Sequence, residues 1–362
     1  DVLPHPMACL ITGITPQEAR EKGLPESEFA AQIHAEMMQP GTCSAGYNSI
    51  RFDDVVSRNL FYRNLRDGNE REDKNGNYRW DLIDLARMCY ALRPEGVEWP
   101  QHEDGKPSFR LEDLSVANGI EHVGAHDALA DVNATIGLAR RLKSAQPRLF
   151  EWALGLRDQR TAARLLDTVE PKPVLHTSSR IPALRGCTSL VLPLAVMPDR
   201  PKSVIVFDLS ADPAPLLNEP PDIIHDLVVT PAADFPEGIE RLPLKMIHSN
   251  HVPMLAPAAT LKGVDTNRIG LDHAKCIEHA AQILPALAQV QHKVIAVFSE
   301  PGGYEESSDP DRMLYSGGFF SSADRHLMSK ILGIAPKDLG RHLWSFQDPR
   351  LQLMLFRYRA RN

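Results

Sequence analysis

The sequence lacks the features that mark a membrane protein or a disulfide-stapled secreted protein. No run of about 18 apolar residues occurs, so we expect no membrane span. The five cysteines are scattered and never spaced as CxxC, which argues against a disulfide framework or a zinc knuckle and favours a cytoplasmic protein. The net charge of −7 does not indicate a nucleic-acid binder, although a local groove can still be basic.

The amino-acid composition and the apolar pattern of the chain change near Pro147. This change divides the 362 residues into domains. Residues 1–146 alternate helical patterns with short apolar runs and predict an α/β domain. Residues 147–299 are richer in proline and contain strand-like runs such as TSLVLPLAV and SVIVFDLS, which predict a β-rich domain. A third segment covers 300–362. A helix over DHAKCIEHAAQILPALAQV should be interrupted at Pro285.

Local patterns in the first domain predict several elements. LITGITPQEAREKG predicts a strand end, a turn and a helix capped by Thr15. FDDVVSRNLFYRNL predicts a helix with Val55, Val56, Leu60 and Phe61 facing inward, and RDGNEREDKNGNYR predicts a polar loop. In VGAHDALADVNATIGLARRLK the apolar residues recur every three or four positions and predict one buried helical stripe. The stripe consists of Leu129, Val132, Ile136, Ala139 and Leu142.

Polar groups precede that last helix. His126 and Asp131 would lie about 140° apart on an ideal helix, so they share a face only if His126 precedes a helix capped by Asp127. An imidazole beside a carboxylate suits metal-assisted phosphodiester hydrolysis, in which carboxylates hold the ions and a base deprotonates water. Taken alone, the pattern favours a plain reading, with Asp127 as the cap and Asp131 next to the positive end of the helix.

A second carboxylate pair stands where an apolar strand is predicted to enter a helix. GYNSIRFDD contains Asp53 and Asp54 at that junction, and strand ends of open α/β sheets are where ligands bind. Either aspartate could instead cap the following helix. Two such sites in one domain raise the metal-binding hypothesis to equal standing with the capping one.

These motifs resemble the second and third motifs of the DEDD exonuclease superfamily, in its histidine branch. LPHPMACLITGITPQEA, RWDLIDLARMCYALRPEG, PALRGCTSLVLPLA and GGFFSSADR extend the likeness to the bacterial exodeoxyribonuclease I family over nearly the whole chain. The resemblance implies an RNase H-like exonuclease domain, an SH3-like β-rich domain and the start of a helical C-terminal domain. Compared with the family, we expect the N-terminal strands of the RNase H-like domain to be missing. The last residues, LMLFRYRARN, stop without a helix cap or a tail, so we expect a polypeptide truncated at both ends.

The resemblance also implies an activity and its residues. The family removes mononucleotides from the 3′ end of single-stranded DNA in repair and recombination, using two Mg²⁺ ions, with Mn²⁺ as an alternative. Asp53 and Asp131 match metal ligands and His126 matches the general base. Arg58, Arg87 and Arg110 match DNA contacts, and an arginine fork suits phosphate. By base rate alone these arginines would be ordinary surface residues.

Two departures from the family pattern affect this expectation. The opening Asp-x-Glu motif has no counterpart, so we expect little or no nuclease activity and weak Mg²⁺ binding from this chain by itself. The loop at 66–79 lacks the family's aromatic side chains and carries Asn69 and Asp73 in their place. Stacking contributes about 1–3 kcal/mol per base, so DNA capture should be weaker here unless the loop has moved.

The later segments offer weaker signals. His248 and His251 lack a third ligand nearby, which favours loop histidines over a metal pair. FRYRARN interleaves aromatics with arginines, which suits single-stranded nucleic acid. As a strand it would bury the aromatics instead. Phe319 and Phe320 are either a DNA-facing tip or a core plug.

Partners and rival functions complete the expectations. The family binds the acidic, Phe-ended tail of single-stranded-DNA-binding protein, and Arg93 and Trp152 lie in segments resembling its docking surface. We expect a monomer. One rival is an exoribonuclease of the same superfamily, against which the SH3-like and C-terminal segments argue. The other rival is a non-catalytic single-strand-binding module, against which the retained Asp53, His126 and Asp131 argue.

Overall fold

The computed structural model describes residues 5–122, 128–231, 234–236, 238, 240–299 and 307–362. They form two compact units, each with buried apolar side chains. The first unit contains residues 5–80, Ala128 and 307–362, and the second contains the described residues between 81 and 299 apart from Ala128. All five cysteines are free thiols. No helix in the described ranges is long and apolar enough to span a bilayer.

Three short helices open the first unit. They are α1 (Pro6–Thr12), α2 (Pro16–Lys22) and α3 (Glu26–Met37). The predicted strand end over LIT is wrong, because these residues are the last turn of α1, which ends at Gly13 in the left-handed conformation (φ 72°). The predicted cap is confirmed, since Thr15 Oγ1 accepts the Glu18 N–H at 3.2 Å.

A two-stranded sheet and two helices follow. They are β1 (Cys43–Gly46), α4 (Asp53–Arg63), α5 (Glu70–Asp73) and β2 (Tyr78–Asp81). The predicted polar loop therefore contains the single helical turn α5. The prediction that Val55 and Val56 face inward is wrong, since they are 39% and 52% exposed. The buried face of α4 carries Asp54, Phe61 and Tyr62, and at about 100° per residue Val56 lies nearly opposite to it.

Five helices open the second unit. They are α6 (Leu82–Leu92), α7 (Leu111–Ala117), α8 (Ala128–Ala145), α9 (Pro147–Gly155) and α10 (Gln159–Leu165). The predicted buried stripe of α8 is wrong over most of its length, because Leu129, Val132 and Ile136 are exposed. The buried residues of α8 are Ala134, Leu138 and Leu142, which are spaced by four. Only Leu142 belongs to both sets.

A five-stranded antiparallel sheet forms the centre of the second unit. Its strands are β3 (Val174–Thr177), β4 (Thr188–Met197), β5 (Arg200–Asp208), β6 (Leu244–His248) and β7 (Met254–Pro257). Their order across the sheet is β6-β5-β4-β3-β7. Helices α11 (Ala214–Asn218) and α12 (Pro221–Val229) come between β5 and β6. The prediction of a β-rich domain is confirmed.

Proline interrupts the helical segment that follows this sheet, as the sequence predicts. Helix α13 (His273–Ile283) is followed by a 3₁₀ turn over Leu284–Ala286 and by α14 (Leu287–Ser299). Pro285 lies in the middle of the 3₁₀ turn. The ring removes a backbone donor and clashes with the preceding turn, so the α-helical hydrogen bonding changes there.

The C-terminal residues complete the first unit with α15 (Ser322–Leu332) and α16 (Arg350–Arg361). FRYRARN belongs to α16, so the strand alternative is wrong. Residues two apart lie on different faces of a helix, and Tyr358 is buried while Phe356 is 64% exposed. Phe320 is partly buried and stacks on Tyr62 of the core with 5.7 Å between ring centroids, whereas Phe319 is almost fully exposed.

A buried ion pair holds the end of β5 in the second unit. Asp208 is 4% exposed and accepts hydrogen bonds from Arg185 Nη1 (3.0 Å) and Nη2 (3.2 Å) and from the hydroxyls of Ser189 and Ser210. Burial acts to raise the pKa of Asp208, but these hydrogen bonds and the Arg185 charge outweigh it and hold the pKa below its usual value. The ionised form therefore stabilises the fold.

We predict that Asp208→Asn destabilises the protein and makes its free energy of unfolding less dependent on pH under acidic conditions. The wild type should lose stability as pH falls below about 4 toward the lowered folded pKa, because the unfolded chain takes up the proton first. The variant lacks this contribution and should be about 3–5 kcal/mol less stable at pH 7, since Arg185 stays partly buried without its partner charge. Urea unfolding at pH 7 and pH 3.5 measures both effects.

Asp199→Asn provides the matched control, in the turn between β4 and β5. Asp199 pairs with Arg200 at 3.1 Å, but its side chain is 65% exposed. A solvated pair contributes about 0–1 kcal/mol. Equal losses in the two variants would contradict a special role for the buried pair.

Candidate active site

Asp53 and Asp54 are the first two residues of α4, and their environments differ sharply. The N-cap is Phe52 and no side chain caps the helix, so the alternative that one of these aspartates is the cap is wrong. Asp54 is 5% exposed, whereas Asp53 is exposed. Partial desolvation raises the pKa of Asp53, and the adjacent Asp54 charge adds to this rise. A bound cation would favour the ionised form of such a carboxylate.

Two buried arginines neutralise Asp54. Arg71 Nη2 donates to Oδ1 at 2.6 Å, and Arg79 Nη1 donates to Oδ2 at 3.0 Å. Arg71 is 1% exposed, which makes it the largest fully buried side chain described. Because a buried carboxylate without a partner is strongly unfavourable, these two ion pairs hold the first turn of α4 in place.

Arg58, a predicted DNA contact, belongs to the same group of charges. Its Nε and Nη2 donate to the two carboxylate oxygens of Glu72 at 2.9 and 2.7 Å, and its Nη1 reaches Tyr315 Oη at 3.3 Å. Glu72 also lies 3.4 Å from Arg71 and from Arg79. We call Asp54, Arg58, Arg71, Glu72 and Arg79 the Asp54 network. The DNA role of Arg58 stays a prediction, with its fork already bound inside the protein.

The aromatic-poor loop supplies two members of this network. Arg71 and Glu72 lie in α5 and point inward to partners on α4 and β2. Asn69 lines a cavity of about 300 Å³ in the first unit, together with Arg66, Phe319 and Phe320. The side chain of Asp73 lies outside those described. The loop is therefore anchored by buried charge rather than by aromatic packing.

Asp131 lies in the first turn of α8 and contacts a histidine that the sequence reasoning missed. His122 Nε2 and Asp131 Oδ1 are 2.7 Å apart, and the two side chains are 4% and 46% exposed. A second histidine four residues before His126 was the available signal. The predicted base His126 and the predicted cap Asp127 lie outside the described residues.

The other two predicted DNA contacts belong to the second unit. Arg87 pairs with Asp84 at 2.6 Å and lies 5.8 Å from the centre of the Phe109 ring. Arg110 precedes α7 and pairs with Glu112 at 2.9 Å, with two-thirds of its side chain exposed. Of these two guanidinium groups, Arg110 is the one open to solvent.

The two residues predicted to dock a partner tail are also in the second unit. Arg93 Nη2 donates to the carbonyl of Thr260 at 3.1 Å, and Trp152 Nε1 donates to the carbonyl of Leu255 at 2.8 Å. Both side chains thus attach helices to the segment that contains β7 and the residues after it.

The metal-site prediction rests on donor chemistry. Asp53 belongs to the first unit and Asp131 to the second. No group of three or more potential ligand side chains is assembled among the described residues. Carboxylate oxygens are the ligands that Mg²⁺ and Mn²⁺ prefer, so the two side chains fit such ions. His248 hydrogen-bonds Ser203 Oγ at 2.8 Å, and its ring centroid lies 4.8 Å from that of His251.

Three protein-family models match the chain. They are Exonuclease over residues 2–139, Exonuclease I SH3-like domain over 157–300 and Exonuclease I C-terminal domain over 308–362. These matches define the class as an exonuclease with two further domains, which confirms the predicted fold class. The chain belongs to the exodeoxyribonuclease I family. It is 46% identical over 362 residues to exodeoxyribonuclease I of Escherichia coli, covering 100% of this chain and 76% of that protein.

Solved structures agree with this assignment. The E. coli exonuclease I complex with a dA16 oligonucleotide has a TM-score of 0.95 and 46% identity, covering 100% of this chain and 77% of that one. Exonuclease I of Methylocaldum szegediense has a TM-score of 0.92 and 47% identity, covering 100% and 75%. Another E. coli complex with single-stranded DNA is a zinc-bound form, and a further structure is of SSB/Exonuclease I with an inhibitor.

We predict that Arg71→Met lowers the thermal midpoint of unfolding strongly. The substitution keeps an unbranched apolar side chain but removes the guanidinium group, which leaves Asp54 with Arg79 alone, and breaking a buried pair costs about 3–5 kcal/mol. Arg160→Met is the control, because Arg160 pairs with Asp158 in solvent and should leave the midpoint unchanged. A midpoint for Arg71→Met equal to that of the control would show that the Asp54 network does not hold the loop.

Proposed function

We propose that the protein is a 3′→5′ exonuclease that hydrolyses single-stranded DNA to 5′-mononucleotides with two bound metal ions. This proposal rests on the different environments of Asp54 and of two other carboxylates, those of Asp53 and Asp131. Asp54 is neutralised by two arginines, whereas Asp53 beside it and Asp131 at the start of α8 keep exposed carboxylates with no arginine among their described contacts. Membership of the exodeoxyribonuclease I family supports the assignment of substrate and reaction.

We assign separate roles in the reaction to four residues of this chain. Asp53 and Asp131 would hold Mg²⁺, or Mn²⁺ in its place. When bound, such ions stabilise the developing charge on phosphate and lower the pKa of water. His126 would take the proton from the attacking water, as the general base. Arg110, with its exposed fork, suits a phosphate of the bound strand.

Arg58 and Arg87 would act in a different way from Arg110. Each is already paired with a carboxylate, Arg58 with Glu72 and Arg87 with Asp84, and is mostly buried, so its charge is held in a fixed place. Fixed donors lose less conformational entropy when a strand binds. We therefore propose that these two arginines orient the strand.

We predict that Asp53→Asn and Asp131→Asn each reduce kcat on single-stranded DNA, with Mg²⁺, by at least about 100-fold. Loss of an outer partner of a metal ligand already reduces activity by about 10–100-fold, and loss of the ligand itself should exceed this. The KM for DNA should stay near the wild-type value. The assay uses the full-length protein that carries this sequence and oligonucleotides labelled at either end.

The control and the rival functions are decided in the same assay. Asp222→Asn removes an exposed carboxylate from the first turn of α12 and should leave kcat unchanged. A DNA oligomer labelled at its 5′ end should shorten stepwise, and a matched RNA oligomer should persist. Preferential digestion of RNA would favour an exoribonuclease, and tight DNA binding without hydrolysis would favour a binding module.

We further propose that the protein binds the acidic C-terminal tail of single-stranded-DNA-binding protein through the surface around Arg93 and Trp152. An arginine fork suits a terminal carboxylate, and an indole suits the terminal phenylalanine ring. The reported SSB/Exonuclease I structure supports this choice of partner. We propose that the protein acts as a monomer in the cytoplasm, where its DNA substrate is present.

We predict that Arg93→Ala weakens binding of a tail peptide by about 10–100-fold, the equivalent of about 1.5–3 kcal/mol for a lost charge-assisted hydrogen bond. Fluorescence anisotropy of a labelled peptide measures this, with Arg141→Ala as an exposed control in the same unit. Because Arg93 also donates to the Thr260 carbonyl, thermal melts must accompany the titration. Unchanged peptide affinity in a folded Arg93→Ala protein would contradict the assignment.

A further inference from the structure

We propose that His122 is a positioning residue that orients the Asp131 carboxylate toward a metal ion. This inference rests on the proposed function, in which Asp131 is a metal ligand. The observation is the 2.7 Å hydrogen bond between His122 Nε2 and Asp131 Oδ1. One carboxylate oxygen is therefore held by the protein, and the other remains available to a cation.

The burial of the two side chains indicates that His122 orients Asp131, and not the reverse. The His122 side chain is 4% exposed, so the imidazole is fixed by its surroundings, whereas the Asp131 side chain is 46% exposed. The terminal torsion of an aspartate is broad and poorly defined by itself. A strong hydrogen bond from a fixed donor to Oδ1 therefore determines where Oδ2 points.

The described contacts of Asp131 show that this hydrogen bond is specific to its carboxylate. Thr135 Oγ1 also bonds Asp131, but it donates to the backbone carbonyl, at 2.8 Å. No other hydrogen bond to the Asp131 side chain occurs within the described part of the chain. Among these contacts, His122 alone orients the carboxylate.

The type of partner matters for cation binding. Other acidic residues in first helical turns, such as Asp54 and Asp84, are paired with arginines, whose fixed positive charge cancels the carboxylate. An imidazole donates from Nε2 and can do so without carrying a charge. The Asp131 carboxylate thus gains an orientation and keeps its negative charge for an ion. Outer hydrogen-bond partners of this kind hold metal ligands in many proteins.

The environment of the second ring nitrogen of His122 helps to explain why a histidine occupies this position. Nδ1 is buried and has no hydrogen-bond partner in the described part of the chain. Buried polar atoms are normally paired, and an unpaired one is unfavourable. An apolar residue would avoid this cost, so the Nε2 contact is the feature of the structure that accounts for a histidine at this position.

The test compares substitutions that keep or remove the donor at the Nε2 position. The amide nitrogen of glutamine reaches the place of Nε2, whereas that of asparagine reaches only the place of Nδ1. In the full-length protein that carries this sequence, His122→Asn and His122→Leu should weaken Mn²⁺ binding by about 10–100-fold, and His122→Gln should restore most of it. Electron paramagnetic resonance of free Mn²⁺, without DNA, measures the affinity.

Kinetic measurements separate positioning from a general structural role. With the metal near saturation, His122→Asn should lower kcat at an unchanged KM for single-stranded DNA. Thr135→Val is the matched control, because it removes the bond to the Asp131 backbone and leaves the carboxylate contact, so Mn²⁺ affinity should not change. If His122→Leu does not fold, the comparison of the asparagine and glutamine variants decides the question.

Each outcome bears on one of the two claims. Wild-type Mn²⁺ affinity in His122→Asn, or equal losses in the asparagine and glutamine variants, overturns the positioning role. If Asp131→Asn also leaves Mn²⁺ affinity unchanged, Asp131 is not a ligand and the proposed function fails as well. Loss of Mn²⁺ binding in Asp131→Asn with full binding in His122→Asn overturns only the inference about His122.

Discussion

The first unit depends on the burial of one negative charge, the carboxylate of Asp54. Taking an ionised carboxylate out of water is so unfavourable that its partners must be present and well placed. Arg71 and Arg79 are these partners, at 2.6 and 3.0 Å from the Asp54 carboxylate. Glu72 adds a second negative charge beside the two arginines and also pairs with Arg58. The helix start, the loop and the second strand are therefore tied together by charge.

The same principle separates structural carboxylates from those that can serve a cation. A guanidinium group within hydrogen-bond distance neutralises its partner, as at Asp54 and Asp208. Asp53 and Asp131 have no such partner among the described residues. Asp131 instead meets an imidazole, which orients the carboxylate without requiring a compensating charge. Among these carboxylates, the presence or absence of a guanidinium partner thus separates the neutralised ones from those that stay available.

Sequence reasoning succeeded where the signal is local. The Thr15 cap, the interruption at Pro285 and the β-rich texture after residue 147 each depend on a few adjacent residues, and the structure contains all three. The reasoning failed where the outcome depends on which face of a helix is covered. The stripe beginning at Leu129 and the side chain of Val56 follow helical spacing but are exposed. Periodicity shows which residues share a face of the helix, but not whether another part of the protein covers that face.

The sequence by itself determined the family and the carboxylate motifs of the candidate site, because short runs such as GYNSIRFDD and AHDALADV carry those residues together. Only the tertiary structure decided which of these residues are neutralised and which stay available. Asp54 meets Arg71 and Arg79 across 17 and 25 positions, and Asp131 meets His122 across 9. Contacts over such separations depend on how the intervening chain folds, and no local pattern specifies them.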